Sequence, residues 1–252
     1  FLYVLGDLTM VTSSALQDEF RNRGMKDVHV WPKGINTTRF HPKWASLEWR
    51  NRLSQNHPDA CILLYVGRLA VEKRLDDLRA IMERLPSHYR LAFVGKGPQE
   101  EELRALFADD ARVIFLGPLY DNDLCHAYAS ADIFLLPSDS ETLGFVVMEA
   151  MASGVPVVAA KAGGIPDMVQ NDGTGYLVPP GDIDGYVQAI ETIGMDHTIQ
   201  RKEMGQRART LTETWTWEKS MSFLRHDIYM QTLDNFRRRW DHRLWRFFTL
   251  QK

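Results

Sequence analysis

Cys61-Ile62-Leu63-Leu64-Tyr65-Val66-Gly67-Arg68 is a run of six apolar residues closed by a glycine and then a cation. A run that short, bounded by a turn residue, reads as a strand, and a strand apolar on both faces needs helices on both sides. The same pattern recurs along the chain. Leu8–Thr12, Val28–Trp31, Arg90–Val94, Arg112–Leu116, Ile133–Leu136, Val155–Ala159 and Gly175–Val178 read as further strands. Between them, Leu75–Leu85 places Leu75, Leu78, Ile81, Met82 and Leu85 along one helical stripe, and Glu102–Phe107 follows a Gly-Pro start as helices do. Strands alternating with covering helices predict an α/β fold with a doubly wound parallel sheet, Rossmann-like in architecture.

Composition excludes several classes. Of 252 residues 44% are apolar, and seven Trp, eight Tyr and twelve Phe are too many for a chain that stays solvated. Two cysteines, Cys61 and Cys125, supply neither a disulfide framework nor a C-x-x-C thiolate site, and the eight histidines lack metal-ligand spacing. The longest apolar stretch, Leu143 to Ala160, is interrupted by Glu149, Gly154 and Pro156, which excludes a membrane-spanning helix there. Val94-Gly95-Lys96-Gly97-Pro98 is a glycine turn without the third glycine or the Lys-Ser/Thr of the phosphate and dinucleotide fingerprints, so ATP hydrolysis and NAD chemistry are disfavoured. No nucleic-acid partner is expected.

The chain begins at Phe1 with no charged-then-apolar leader and reads as a fragment or processed product. Pro32 to Pro42, with its prolines, glycine and small polar residues, reads as a linker. The expected organisation is the end of an amino-terminal domain over 1–32, a linker over 33–43, a ligand-binding domain over 44–212, and closing helices with a basic amphipathic tail over 213–252. The net charge of -3 conceals an asymmetry, because the stretch from Asn235 to Lys252 carries +5 and leaves -8 elsewhere. Phe236, Trp240, Leu244 and Phe247 recur there at helical spacing beside arginines. Such a helix suits an anionic bilayer surface, or equally the closing helix of a two-domain fold.

Ligands of doubly wound sheets sit beyond the carboxyl ends of the strands. After Cys61–Val66, Gly67 allows close backbone approach, while Arg68 offers a planar fork and Lys73 a point charge to phosphate oxygens. After Ile133–Leu136, Pro137 to Gly144 feeds an apolar helix, whose start presents free N–H groups and a positive dipole end to an anion such as a diphosphate. Glu141 in that loop and Glu149 in the helix stand eight residues apart. A carboxylate among Val-Val-Met-Glu-Ala-Met-Ala is costly unless hydrogen-bonded, either by sugar hydroxyls or by a neighbouring cation. Lys161-Ala162-Gly163-Gly164-Ile165-Pro166-Asp167 is a third loop of this kind. Asp121-Asn122-Asp123 and Asp182-Ile183-Asp184 stand where helices begin, and capping is the reading preferred over metal binding.

Gly67-Arg68 with Lys73, and Glu141 with Glu149 followed by Ala150-Met151-Ala152-Ser153-Gly154-Val155-Pro156, resemble the carboxy-terminal half of retaining GT-B glycosyltransferases of the family 4 type. That resemblance implies a nucleotide-sugar-binding domain preceded by the remnant of an acceptor domain. By residue matching it implies that Arg68 and Lys73 neutralise the donor diphosphate. Gly67 and the backbone at Thr142, Leu143 and Gly144 would cradle it, Glu149 would hold the ribose, and Glu141 would lie beside the donor sugar. No metal or other cofactor is expected. Tyr128-Ala129-Ser130, Trp31-Pro32-Lys33-Gly34 and the variants Ser140-Glu141-Thr142-Leu143-Gly144 and Gly163-Gly164-Ile165-Pro166-Asp167 are similar to plant and algal sulfoquinovosyl diacylglycerol synthases. That narrower likeness implies a UDP-sugar donor, UDP-sulfoquinovose, a diacylglycerol acceptor and a peripheral place on a plastid membrane. Lys161 is then a candidate partner for the donor's sulfonate. Other lipid-directed glucosyl-, galactosyl- or mannosyltransferases, and a nucleotide-sugar-binding module without turnover, are the competing readings.

Overall fold

A computed structural model describes residues 6–194 and 197–249, the last ten as backbone alone. The elements are β1 (Thr9–Val11), α1 (Ser14–Asn22), β2 (Val28–Val30), α2 (Leu47–Ser54), β3 (Cys61–Val66), α3 (Asp77–Arg84), β4 (Tyr89–Val94), α4 (Glu100–Leu106), β5 (Val113–Phe115), α5 (Asp121–Ala129), β6 (Ile133–Leu136), α6 (Phe145–Ala152), β7 (Val157–Ala160), β8 (Gly175–Val178), α7 (Ile183–Thr192), α8 (Thr198–Thr212), α9 (Trp217–Phe223) and α10 (Tyr229–Thr249). Two compact units result, one from the residues up to Gly34 together with those from Trp215 onward, the other Ile35–Thr214.

The larger unit holds a six-stranded, wholly parallel sheet in the order β5-β4-β3-β6-β7-β8. The chain winds outward from β3 in one direction, returns through α5, and winds outward from β6 in the other. The β3–β6 boundary is therefore the switch point of the sheet, where a doubly wound fold opens a crevice. Every residue of β3, β6 and β7 is buried, as their two-sided apolar character requires. α3 packs with α7 on one face, while α2, α5, α6 and α8 pack in succession on the other. Each fully buried Leu, Ile or Val in these strands stabilises by roughly 1.5–3 kcal/mol, and the core therefore lies in the centre of the sheet.

Local rules explain where the boundaries depart from the pattern. β7 starts at Val157 rather than Val155, because Pro156 has no N–H for the ladder and the Val155 N–H is spent on the Ala150 carbonyl that ends α6. α3 starts at Asp77 rather than Leu75, since Arg74 takes a left-handed turn (φ 51°) and the chain needs two residues to recover.

Polar groups at the amino ends of the central strands are tied to partners within the protein. Asp132, just before β6, accepts Arg50 Nη2 at 3.0 Å and Arg201 Nη2 at 3.1 Å, one on each carboxylate oxygen, and also the Ile62 N–H at 2.9 Å. The two guanidiniums spend their remaining donors on the carbonyls of Pro58, Ala60, Ser130, Ile193 and Gly194. This network pins α2 and α8 to the amino ends of the central strands β3 and β6.

In the smaller unit, β1 and β2 pair in parallel beside α1. One face of α10 packs there: Asn235 donates to the Asp7 carbonyl at 2.8 Å and Arg239 pairs with the Asp7 carboxylate at 3.0 Å. Tyr229, Met230 and Phe236 are exposed. The side chains of Trp240, Arg243, Leu244, Arg246 and Phe247, and all of Lys252, lie outside the described residues.

Candidate donor-binding site at the sheet switch point

A cavity of about 410 Å³ opens at the carboxyl ends of β3 and β6. Its lining takes Gly67, Arg68 and Lys73 from the loop after β3, and Glu141, Thr142, Leu143 and Gly144 from the loop after β6, with Phe145 and Val146 of α6 behind them. Two loops 68 residues apart in sequence thus share one hollow. Glu149 is not in that lining. It lies one turn further along the face of α6 that carries Phe145 and Val146, as i+4 and i+3 spacing dictates.

The β3 loop is shaped from below. Tyr65, fully buried, donates its hydroxyl to the Arg68 carbonyl at 2.8 Å. The Gly67 and Leu69 N–H groups reach the carbonyls of Val94 and Lys96 at 3.0 and 3.1 Å. Gly95 (φ 135°) is the contact point of that second loop, and a Cβ there would run into the Gly67 carbonyl. The glycine turn at 94–98 is therefore a prop for the first loop. The β6 loop has its own prop in Gly163 (φ 55°), where a Cβ would collide with the Glu141 carbonyl, and Gly164, whose N–H donates to that carbonyl at 2.9 Å.

The two cations differ. The Arg68 side chain is 67% exposed, and its nearest carboxylate, Glu72, stands 4.0 Å away. Lys73 is 18% exposed and holds Glu141 Oε2 at 2.9 Å and the Ser140 carbonyl at 3.2 Å. Glu141 Oε1 accepts the Gly144 N–H, at the start of α6, at 3.2 Å. Ser138, buried between the loops, donates to the Ser140 carbonyl at 3.0 Å.

Glu149 accepts a hydrogen bond from Tyr128 at 2.8 Å. Burial lifts its carboxyl above the ordinary value, against the opposing pull of that hydrogen bond and of the Arg39 charge. Tyr128, fully enclosed, is pushed well above the usual phenol range by desolvation and then by the Glu149 charge. A neutral hydroxyl, not an ion pair, is the principal partner of this carboxylate.

Other expectations meet the structure unevenly. Lys161 is exposed and outside the cavity lining. Asp182 caps α7 through the Gly185 N–H at 2.9 Å, as expected. Asp121-Asn122-Asp123 does not cap α5. Tyr120 takes the cap position without a side-chain bond, and Asp121, at φ 48°, turns outward to Arg39 at 3.5 Å. Among the described residues no group of three or more His, Cys, Asp or Glu is placed to hold a metal ion. The props (Gly95, Gly163, Tyr65, Ser138) and the Tyr128 partner of Glu149 have no local periodic signal. Only the positive-φ capacity of the two glycines is visible in sequence.

A doubly wound sheet with cations, a loop and a helix start converging at its switch point has the arrangement in which such folds present a crevice to anionic groups. The Glycosyl transferases group 1 family model matches residues 48–211, well over half of the chain, and the chain belongs to that family. It is 40% identical over 248 residues to the sulfoquinovosyl transferase SQD2 of Arabidopsis thaliana, covering 96% of this chain and 48% of that protein. It is 34% identical over 215 residues to a GDP-mannose-dependent alpha-mannosyltransferase of Mycobacterium tuberculosis, covering 85% of this chain and 54% of that protein. The chain thus spans about half the length of the curated relatives it matches. Among solved structures, Anabaena Alr3699/HepE in complex with UDP superposes with a TM-score of 0.79 at 22% identity, covering 89% of this chain and 64% of that one. Sucrose-phosphate synthase from Thermosynechococcus elongatus superposes with a TM-score of 0.75 at 28% identity, covering 88% and 58%. The fold is that of GT-B glycosyltransferases.

Proposed function

We propose that this chain is the donor-binding half of a retaining sulfoquinovosyltransferase, which moves sulfoquinovose from UDP-sulfoquinovose to diacylglycerol. The observation that carries the reading is the 40% identity to the Arabidopsis sulfoquinovosyl transferase across nearly the whole chain, on a fold that brings Arg68, Lys73 and the start of α6 to one cavity. Cleaving the sugar–phosphate bond leaves negative charge on the nucleotide. A guanidinium, an ammonium and a helix dipole gathered at that charge stabilise it in the transition state more than in the ground state. Glu149, already desolvated and holding one hydroxyl, is suited to take ribose hydroxyls on its remaining lone pairs. In a front-face substitution the acceptor oxygen bonds to the anomeric carbon on the face from which the phosphate departs, and its proton passes to that phosphate, so the anomeric configuration is kept.

A lipid acceptor calls for a surface that meets a bilayer. Tyr229, Met230 and Phe236 are exposed on α10, and Arg237 beside them is 71% exposed, which supports docking of this face on an anionic plastid membrane. Replacing Arg237, Arg238, Arg243 and Arg246 with Gln is expected to abolish sedimentation with anionic vesicles, and unchanged sedimentation refutes the docking.

The deciding assay supplies the full-length protein with UDP-sulfoquinovose and diacylglycerol and follows product stereochemistry. The expected result is an α-linked sulfolipid. Turnover with GDP-mannose instead would install the mannosyltransferase reading that the mycobacterial relative supports.

A further inference from the structure

We infer that Glu141 is an internal counter-anion for the donor site, so that a diphosphate binds by exchanging with it. The inference rests on the donor reading above and concerns how that site is regulated. Two donors that face the cavity at the mouth of α6 are the Lys73 ammonium and the N–H of Gly144, the residue that caps the helix, and one carboxylate engages both. Oε2 accepts Lys73 Nζ at 2.9 Å and Oε1 accepts the Gly144 N–H at 3.2 Å. Both side chains are mostly buried, at 18% and 17% exposure, so this is no loose surface pair.

The surroundings make exchange feasible. The Glu141 backbone is clamped, since its carbonyl accepts the Gly164 N–H and the Gly163 Cα packs against it. Its side chain keeps three rotatable bonds about that fixed point. Lys73 is held in place by the Ser140 carbonyl at 3.2 Å whether or not Glu141 is on it. An incoming diphosphate therefore finds its ammonium pre-positioned and displaces only the carboxylate. Once displaced, Glu141 is free to turn to the donor sugar, which the likeness to retaining enzymes places beside it. The pair lowers affinity for any nucleotide diphosphate, product included, and so favours release of UDP after transfer.

The test is calorimetry of UDP and of uridine with the wild-type chain, Glu141→Gln and Glu72→Gln. Glu141→Gln is expected to bind UDP roughly three- to tenfold more tightly than wild type, with uridine unchanged, the scale of losing one mostly buried ion pair. Glu72→Gln, which removes a carboxylate 4.0 Å from Arg68 that does not contact Lys73, is expected to change UDP affinity less than twofold. Equal gains from both variants would mean plain charge repulsion, and an unchanged or weaker Glu141→Gln would mean no exchange. Either overturns the inference while leaving the donor reading intact. Absence of UDP binding by wild type and Glu141→Gln alike overturns the donor reading and this inference with it. A crystal structure with UDP supplies a second readout, in which Lys73 Nζ has moved from Glu141 to a phosphate oxygen at about 2.8 Å. Persistence of the Lys73–Glu141 pair beside bound UDP refutes the exchange.

Discussion

The two ends of the parallel sheet treat charge in opposite ways. At the amino ends, Asp132 is saturated by two arginines and a backbone N–H, and those arginines spend their other donors on carbonyls. At the carboxyl ends, Arg68 faces solvent, Lys73 is held by a carboxylate on a flexible stem, and Glu149 is desolvated with a single hydroxyl donor. Full satisfaction by protein partners stabilises one fold, whereas groups left partly satisfied at a crevice are available to a ligand. Charges alone do not distinguish the two ends, but their partners do.

The sharpest break of this contrast is Asp132→Ala. It strands two mostly buried guanidiniums and the Ile62 N–H, and is expected to cost about 3–5 kcal/mol in urea unfolding. A loss below 1 kcal/mol would show the amino end to be no more committed than the carboxyl end.

Gly163→Ala comes next. A side chain at φ 55° pressed against the Glu141 carbonyl should cost about 2 kcal/mol, and it should also weaken UDP binding by moving the β6 loop. Stability lost with UDP affinity retained would separate the prop from the site.

Glu149→Gln is expected to act in the opposite sense. Burial raises this carboxyl, so the folded chain holds its proton more tightly than the unfolded chain does. The stability so contributed is present at pH below the ordinary carboxyl value and is lost as pH rises through the folded-state value. The amide keeps an acceptor for Tyr128 without the charge. Thermal stability should therefore rise at pH 8 by an amount on the order of 1 kcal/mol and change little near pH 4, while UDP affinity falls. A variant less stable than wild type at pH 8 would contradict the cost assigned to that carboxylate.

Arg68→Gln should change unfolding free energy by less than about 0.5 kcal/mol, as befits an exposed side chain with no close partner.

The same contrast explains what the sequence discloses. Two-sided apolar runs such as Cys61–Val66 and Ile133–Leu136 announce a covered parallel sheet, and Gly67-Arg68 with Lys73 marks the loop that comes to line the cavity, because both signals are local. Asp132 carries no such mark: it is one acidic residue before a strand, and its partners lie 82 and 69 residues away. The Lys73–Glu141 pair is likewise invisible, since it depends on which strands become neighbours at the switch point. The Asp121-Asn122-Asp123 expectation failed for a local reason instead, as a left-handed turn at Asp121 moved the cap position to Tyr120. Lys161 has the right charge after a strand, yet it follows β7, one strand removed from the β3–β6 crevice.

The central claim is that a diphosphate sits between Arg68, Lys73 and the start of α6. Its most direct test is the preference for UDP over uridine, measured by calorimetry on the wild-type chain and on the double variant Arg68→Gln, Lys73→Gln. The wild type should prefer UDP by at least about tenfold and the double variant should lose most of that preference, in keeping with two charge-assisted contacts. An undiminished preference in the double variant would place the phosphates elsewhere and contradict the account.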